Sequence, residues 1–404
     1  MSNNFLDSVM RYTLGLDSEW QVDQITMDTE NQQIDVFLSH SGKHLVCPET
    51  GEAGTLYDHR KERSWRHLDW FQCKCFVHCR VPRIQSSSGI KTIVILWAEA
   101  SSRMTYAFER WAIELLQATE TKTAKLLRCG VNQIYRIMHR SVDRGIDRRS
   151  LDEISHIGID EKAIKRGHVY ATIGTDSTRG VVLDVGEGTT KKGTIELLEP
   201  LFEGIKDKIE TVSSDMLKSF LGAIAQVVPK AALIHDRFHL IQDLNQAINK
   251  VRRREVKIHL ELNGTRYVLL KNEENRTKQQ DEMFKVLQAS NLQVSLAWRL
   301  PEEFKGIFQC NSFAEAKEYF TLWLSSVEEM AVQEVINVAE RFQRHFEGVC
   351  NALCHEQSNA KAERINGKIQ EIKTVGRGYR TFENFRIAIL FFCGGPDLLP
   401  QQSW

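Results

Sequence analysis

Proline is scarce: seven residues in 404, well under the ~5% of an average chain. Long helices therefore meet few breakers. Long apolar runs are missing too. The nearest, Ile387 to Cys393, has seven residues, against the roughly 18 that a membrane-spanning helix needs. Met1 to Trp20 lacks the basic-then-apolar order of a secretory leader, so the expectation is a soluble protein not built for export. Net charge is absent, with 53 basic residues against 53 acidic ones. That balance argues against a simple polyanion-coating protein. The nine cysteines are an odd count, which fits free thiols better than a disulfide framework in a chain of this size.

What is present is ordinary globular composition: 42% hydrophobic residues and 24 glycines. A disordered tail and a coiled-coil rod are excluded, and the length allows roughly two to four domains. The zero average conceals basic runs. Seven basic residues against Asp143 and Asp147 lie between Lys125 and Arg149. Lys250 to Lys257 holds five, including Arg252, Arg253 and Arg254, against one acid, and Lys361 to Arg386 holds seven against three. Such runs are candidate phosphate contacts or solvated helix faces.

Periodicity divides the chain. Residues 1–100 read as a small β-rich module, with period-two alternation over Phe71 to Val81 and, more weakly, Lys91 to Leu96 around a Ser86–Gly89 turn. From 101 to 150 the period is helical. Phe108, Trp111, Ala112 and Leu115 lead to Thr123–Leu127, a turn at Cys129–Asn132 follows, and Gln133–Met138 resumes the helix. That is a helix-turn-helix outline, whose second helix presents Asn132, Gln133, Arg136 and Arg140 to base edges or phosphates. Residues 151–240 give three consecutive strands (154–160, 168–173, 180–185), a helix, a strand (209–214), a helix and a strand (231–235). This is the order of an RNase H-like α/β fold. Residues 241–345 are helical throughout. Residues 346–404 add a polar loop, a helix over about 359–374 and a last apolar stretch.

That order lets three acids meet. Asp160 ends the first strand and Asp215 follows the fourth, which neighbours the first in RNase H-like sheets. On the late helix Ile365, Ile369 and Ile372 form a stripe that packs on the sheet, leaving Glu363 on the other side with Asn359, Asn366, Gln370 and Lys373. Crowded carboxylates repel and take up protons unless cations lie among them. Their hard oxygens suit Mg²⁺ or Mn²⁺. Two such ions stabilise both the attacking and the leaving oxygen of a phosphoryl displacement.

Several ordered strings carry a resemblance: Tyr57-Asp-His-Arg60, Trp65-Arg-His-Leu-Asp69, Val81-Pro-Arg83, Ile157-Gly-Ile-Asp-Glu161, Ser214-Asp-Met216 and Asp236-Arg-Phe-His239. The most specific are Ser358-Asn-Ala-Lys-Ala-Glu-Arg-Ile-Asn366 and Arg377-Gly-Tyr-Arg-Thr-Phe-Glu-Asn-Phe385. From about Cys47 to Arg386 the chain resembles the ISL-three family of bacterial insertion-sequence transposases. The resemblance implies a DDE transposase with Asp160, Asp215 and Glu363 as the metal-binding triad, and makes 241–345 an insertion inside the RNase H-like domain. Asp236 and His239 lie, by similarity, near the site as supporting or DNA-positioning groups, with Asn359, Asn366 and Lys373. The rival reading makes Asp236 the second triad member. Trp298, in the insertion, reads as core rather than as a base-stacking platform.

One departure stands out. The family's N-terminal zinc motif opens Cys-Pro-x-Cys-Gly, whereas this chain has Cys47-Pro-Glu-Thr-Gly51, with Ser86-Ser-Ser88 where the later pair falls. Cys73, Cys75 and Cys79 alternate on one strand and cannot readily converge on a tetrahedral ion. Zinc is therefore not expected. The whole reading is a bacterial, cytoplasmic, nucleoid-associated transposase with a divalent metal cofactor. It binds its element's terminal repeats and target DNA, has no membrane partner, and assembles as a homo-oligomer on DNA. The alternatives are a domesticated or inactive DNA-binding repressor and, more weakly, a structure-selective nuclease.

Overall fold

The computed structural model describes residues 3–116, 119–165, 169–270, 275–290, 292–354, 359–376 and 378–400. The chain divides into two compact units, one of Met1–Arg149 with Pro396–Trp404 and the other of Ser150–Gly395. The β-rich module and the helices of 101–150 thus share one unit, which also takes the C-terminal segment.

The first unit opens with α1 (Asn3–Leu14), which the sequence reading missed along with the strands β1 (Trp20–Asp28) and β2 (Gln33–His40). These join β4 (Arg63–Trp70) and β5 (Cys73–Cys79) in a sheet of order β1-β2-β5-β4, while β3 (Thr55–His59), β6 (Pro82–Ser86) and β7 (Gly89–Thr92) form a smaller sheet. On β5 the alternation holds: Cys73, Cys75, Val77 and Cys79 are buried. Trp20, Trp65 and Trp97 meet edge to face at 4.8 and 5.5 Å in the core below. Three helices follow: α2 (Tyr106–Leu115), α3 (Glu120–Leu126) and α4 (Val131–Arg148). Thr105 and Thr119 cap the first two through their side chains. The turn between α3 and α4 takes its left-handed residue at Arg128 (φ 50°), whereas Gly130 is the N-cap of α4.

The second unit is built on β8 (His156–Lys165), β9 (Val169–Asp176), β10 (Val181–Glu187), β11 (Thr211–Ser214) and β12 (Ala232–His235) in the order β10-β9-β8-β11-β12. The first three are antiparallel, and β11 runs parallel to both β8 and β12. α5 (Lys191–Phe202) and α6 (Lys218–Val227) pack on Ile157, Ile159 and Val212 of one face. A helical block then runs from α7 (Arg237–Glu255) to α14 (Phe346–Cys354), with α8 to α13 between (266–344). Its core gathers around Phe304, whose ring lies 4.9 Å from Trp323 and 5.1 Å from Phe342. Trp298 packs there too, edge-on to Phe284 at 4.6 Å with Nε1 donating to Leu269 O at 2.8 Å. The chain returns through α15 (Asn359–Val375) and α16 (Phe382–Cys393). Ile365, Ile369 and Ile372 of α15 are buried as one stripe. No helix among the described residues is long and apolar enough to cross a membrane.

Candidate active site

Strand register positions the acids. Ser214 pairs with Ile159 and with His235. One residue on, Asp215 falls beside Asp160 on one side and beside Asp236 on the other. Alternation puts all three on the face shared by Gly158 and Ser213. The strand order reverses between β8 and β11, the crevice where open α/β sheets bind ligands at the strands' carboxyl ends.

A cavity of about 70 Å³ opens there, lined by Gly158, Asp160, Thr175, Asp215, Asp236 and His239, with Lys361, Ala362, Ile365 and Asn366 of α15 as its far wall. Gly158 keeps it open, since a Cβ there would stand 2.6 Å from Thr175 Oγ1. α15 is fastened to the β9–β10 turn. Lys361 Nζ donates to Thr178 O and Arg364 to Gly180 O at 3.4 Å. Gly180 (φ +69°) has no side chain to displace the Lys361 stem, which a Cβ would meet at 3.2 Å.

Asn366 Nδ2 donates to Asp160 Oδ2 at 2.8 Å, and His239 Nε2 lies 3.7 Å from Asp160 Oδ1. Burial pushes the Asp160 carboxyl up, but His239 and Asn366 outweigh it and hold the group below the usual carboxylate range. Reciprocally, Asp160 lifts His239 to about 9. Burial pushes Asp215 up, with Asp160 and Asp243 adding to the rise. Asp236 caps α7, its Oδ1 accepting from Phe238 N at 2.7 Å. Lys373 Nζ donates to Ala163 O at 2.8 Å, fixing the far end of α15 to β8.

Glu363 stands apart. It is exposed and does not line the cavity, one turn before Asn366. The Asn359 side chain lies outside the described residues. Among the described residues no three carboxylate, imidazole or thiol groups form a preassembled metal cage. The donor chemistry nevertheless suits a hard divalent ion. Asp160 and Asp215 are adjacent oxygen donors in a half-buried place where Asp215 resists ionising without a cation.

Three residues were missed from sequence. Glu161 follows Asp160, and its carboxyl is pushed up by burial and then by Asp215 and Asp160. Asp243 and Arg341 pair beside Asp215 and His239 in an adjoining cleft. The signal for Asp243 was its spacing: Asp236, His239 and Asp243 recur at helical intervals along α7.

The candidate DNA-reading residues divide. Asn132 and Arg136 are exposed on α4. Gln133 turns back, its Oε1 accepting from Gly130 N at 2.8 Å to cap the helix. Arg140 pairs with the buried Glu109, its Nε donating at 3.1 Å. In the insertion Arg254 binds Glu334 and Gln293, Arg252 Nε donates to Asn249 at 3.1 Å, and Arg253 is exposed.

The expectation that the first strand ends at Asp160 does not hold: β8 runs on to Lys165, because its pairing with β9 continues past the end of β11, so Asp160 sits mid-strand. Asp160 there and Asp215 just past the end of the parallel β11, with the basic α15 as far wall, can hold a divalent cation beside a phosphodiester. Comparison with known proteins gives the family. A DDE model of ISL3 elements, described as "Transposase", matches residues 157–389, more than half of the chain. A second model, "zinc-finger of transposase IS204/IS1001/IS1096/IS1165", matches residues 44–85. The chain belongs to the ISL3 family of DDE transposases. It is 22% identical over 398 residues to the transposase for insertion sequence element IS1001 of Bordetella parapertussis, covering 95% of this chain and 98% of that one. It is 25% identical over 391 residues to the transposase for insertion sequence element IS1557 of Mycobacterium tuberculosis, in strains CDC 1551 / Oshkosh and ATCC 25618 / H37Rv, covering 88% and 87%. The protein is accordingly a DNA transposase, an enzyme of phosphodiester hydrolysis and transesterification that depends on divalent metal. The repressor alternative is not favoured.

Proposed function

We propose that the second unit is an RNase H-like catalytic domain interrupted by the helical insertion, and that Asp160, Asp215 and Glu363 are its metal-binding triad. The observation that carries this is the adjacency of Asp160, midway along β8, and Asp215, one residue past the end of the parallel β11, within the transposase match. Glu363, exposed on α15 one turn from the Asn366–Asp160 hydrogen bond, joins the triad on the strength of the transposase match over residues 157–389. Asp160, Asp215 and Glu363 would hold Mg²⁺ or Mn²⁺, most simply two ions, which would supply positive charge for the phosphoryl transfer.

The chain's own groups do the rest. Asp160 and Asp215 supply the oxygen donors that would hold the cation beside the phosphodiester. Asn366 fixes the Asp160 rotamer, while Asp236 and His239 hold the start of α7 against the site. Water attacks the phosphorus at the element end, breaking its bond to the 3′ oxygen and leaving a 3′-hydroxyl. That hydroxyl then attacks a target phosphodiester, forming one P–O bond as another breaks. No protein nucleophile is required.

In the first unit, α3 and α4 are a helix-turn-helix that reads the element's terminal inverted repeats through Asn132 and Arg136, with Arg253 of the insertion on backbone phosphates. The protein acts in the bacterial cytoplasm at the nucleoid, as a homo-oligomer once assembled on DNA. The test is strand cleavage on a labelled element end. Asp160→Asn, Asp215→Asn and Glu363→Gln are each expected to abolish cleavage and keep end binding. Asp215→Asn cleaving at wild-type rate, with Asp236→Asn dead, would move the assignment to Asp236.

A further inference from the structure

In the ribbon of the first unit the turns at 47–51 and 86–89 carry a single cysteine, Cys47. The family model over residues 44–85 is that of a zinc finger, and a structural zinc takes four cysteine or histidine ligands. Two turns here face each other. One is Cys47–Gly51, closed by Gly51 N donating to Cys47 O at 2.9 Å and Cys47 N to Glu52 O at 2.8 Å. The other is the hairpin turn Ser86–Gly89 between β6 and β7. Cys47 Sγ lies 3.4 Å from Ser88 Oγ, which lies 3.1 Å from Ser86 Oγ. The hydroxyls of Ser86, Ser88 and Thr50 hold the Cys47 thiol down at about 6. Outside this ring, Ser87 Oγ donates to Glu52 Oε2 at 2.6 Å and Lys91 Nζ to Glu49 Oε1 at 2.6 Å, tying the turns again.

We infer that this ribbon folds without zinc, its two turns closed on each other by a ring of one thiol and three hydroxyls. Neutral hydroxyls are poor ligands for a borderline-soft ion, and one sulfur cannot replace four. Among the described residues no other thiol is placed to help. Cys73, Cys75 and Cys79 point into the sheet core, and burial pushes Cys75 and Cys79 up to about 12, far from the thiolate that zinc needs. His78 is on the opposite face of β5, bonded to Asp35 at 2.7 Å and stacked on Phe37. The tryptophan cluster and the buried apolar residues around it supply what the ion does elsewhere.

The experiment uses the full chain, purified from zinc-supplemented cells, with metal content by mass spectrometry and a thermal melt with and without chelator. Wild type is expected to carry roughly 0.1 equivalent of zinc or less, with a melt that the chelator leaves unchanged. Thr50→Cys/Ser86→Cys/Ser88→Cys, handled under reductant, is expected to take up one zinc and to melt lower once it is stripped. Wild type with a full equivalent of zinc, or a folded triple variant that takes none, overturns the inference. Should the triple variant fail to fold, Cys47→Ser decides: an unchanged melt supports the hydroxyl ring, and loss of the ribbon's transition refutes it.

Discussion

Replacing Glu109 by glutamine tests whether the basic face of α4 belongs to DNA or to the protein. Glu109 is 1% exposed. Its carboxylate accepts from Ser102 Oγ at 2.8 Å, Arg140 Nε at 3.1 Å and Arg144 Nη1 at 3.2 Å. The amide keeps the shape and loses the charge, leaving two largely buried guanidiniums short of an anion. Removing one member of a buried pair costs about 3–5 kcal/mol. Two facts pull the figure down here. Glu99 also pairs with Arg144 at 2.5 Å and lies 3.8 Å from Arg140 Nε, and the arginine side chains retain 19% and 12% exposure. The expected loss is about 2–4 kcal/mol, which lowers the first unit's melting temperature by ~5–12 °C. Calorimetry should show that transition move while the second unit's stays. Arg140→Ala should behave likewise, and below the melt both variants should bind element ends with an unchanged salt slope. An Arg140→Ala protein that melts like wild type but loses one unit of salt slope would refute the reasoning and return Arg140 to the phosphates.

Three further outcomes are expected. Arg136→Ala and Asn132→Ala should weaken end binding without moving either melt; a base contact costs ~1–3 kcal/mol and relaxes one position, a phosphate contact flattens the salt slope, and gel shifts at two salt concentrations separate them. Truncation after Gly395 removes the acceptors of Arg144 (Leu398 O, 3.2 Å), Arg148 (Leu399 O, 2.7 Å) and Arg110 (Pro400 O, 3.3 Å); the first unit should lose roughly 1–3 kcal/mol by denaturant titration and the second should not change. Burial pushes His67 in the first unit and His235 in the second down to about 4. Folded, these imidazoles bind fewer protons than unfolded, so their contribution is complete above pH ~6.5 and is lost as pH falls toward 4, by roughly 3 kcal/mol each. His67→Asn should remove that acid slope from the first unit's transition alone.

The strands of the second unit are legible because each carries its own alternation, and four of the five lie within three residues of the bounds read from sequence; β8 runs five residues past its expected end at Asp160, held there by its pairing with β9. β1 is not, since Trp20 is its one buried residue and a mostly exposed edge strand shows little period. The polar chemistry of α4 was read as a surface. Half of it is spent inside the unit, because the partner of Arg140 is a glutamate 31 residues upstream. The C-terminal segment was placed with the catalytic residues by chain order, yet it packs on the first unit. Its acceptors are chiefly backbone carbonyls, which every residue carries and no sequence marks.

The acid site was partly legible for a different reason: Asp215 and Asp236 each directly follow a short strand, and Asp160 lies within the strand between β9 and β11. α7 shows what spacing adds to that. Leu240, Leu244, Ile248 and Val251 form a buried stripe that anchors the insertion's core. Asp236, His239 and Asp243 occupy another stripe of the same helix, running from the cap at the sheet edge to the Arg341 pair on α13 (Gln333–Arg344). One helix therefore carries both the packing of the insertion and the groups beside Asp160. Leu244→Ala, which opens the buried stripe of α7, is expected to weaken the His239–Asp160 contact. An NMR titration should then find His239 below the value of about 9 that Asp160 gives it; an unshifted His239 would refute the coupling.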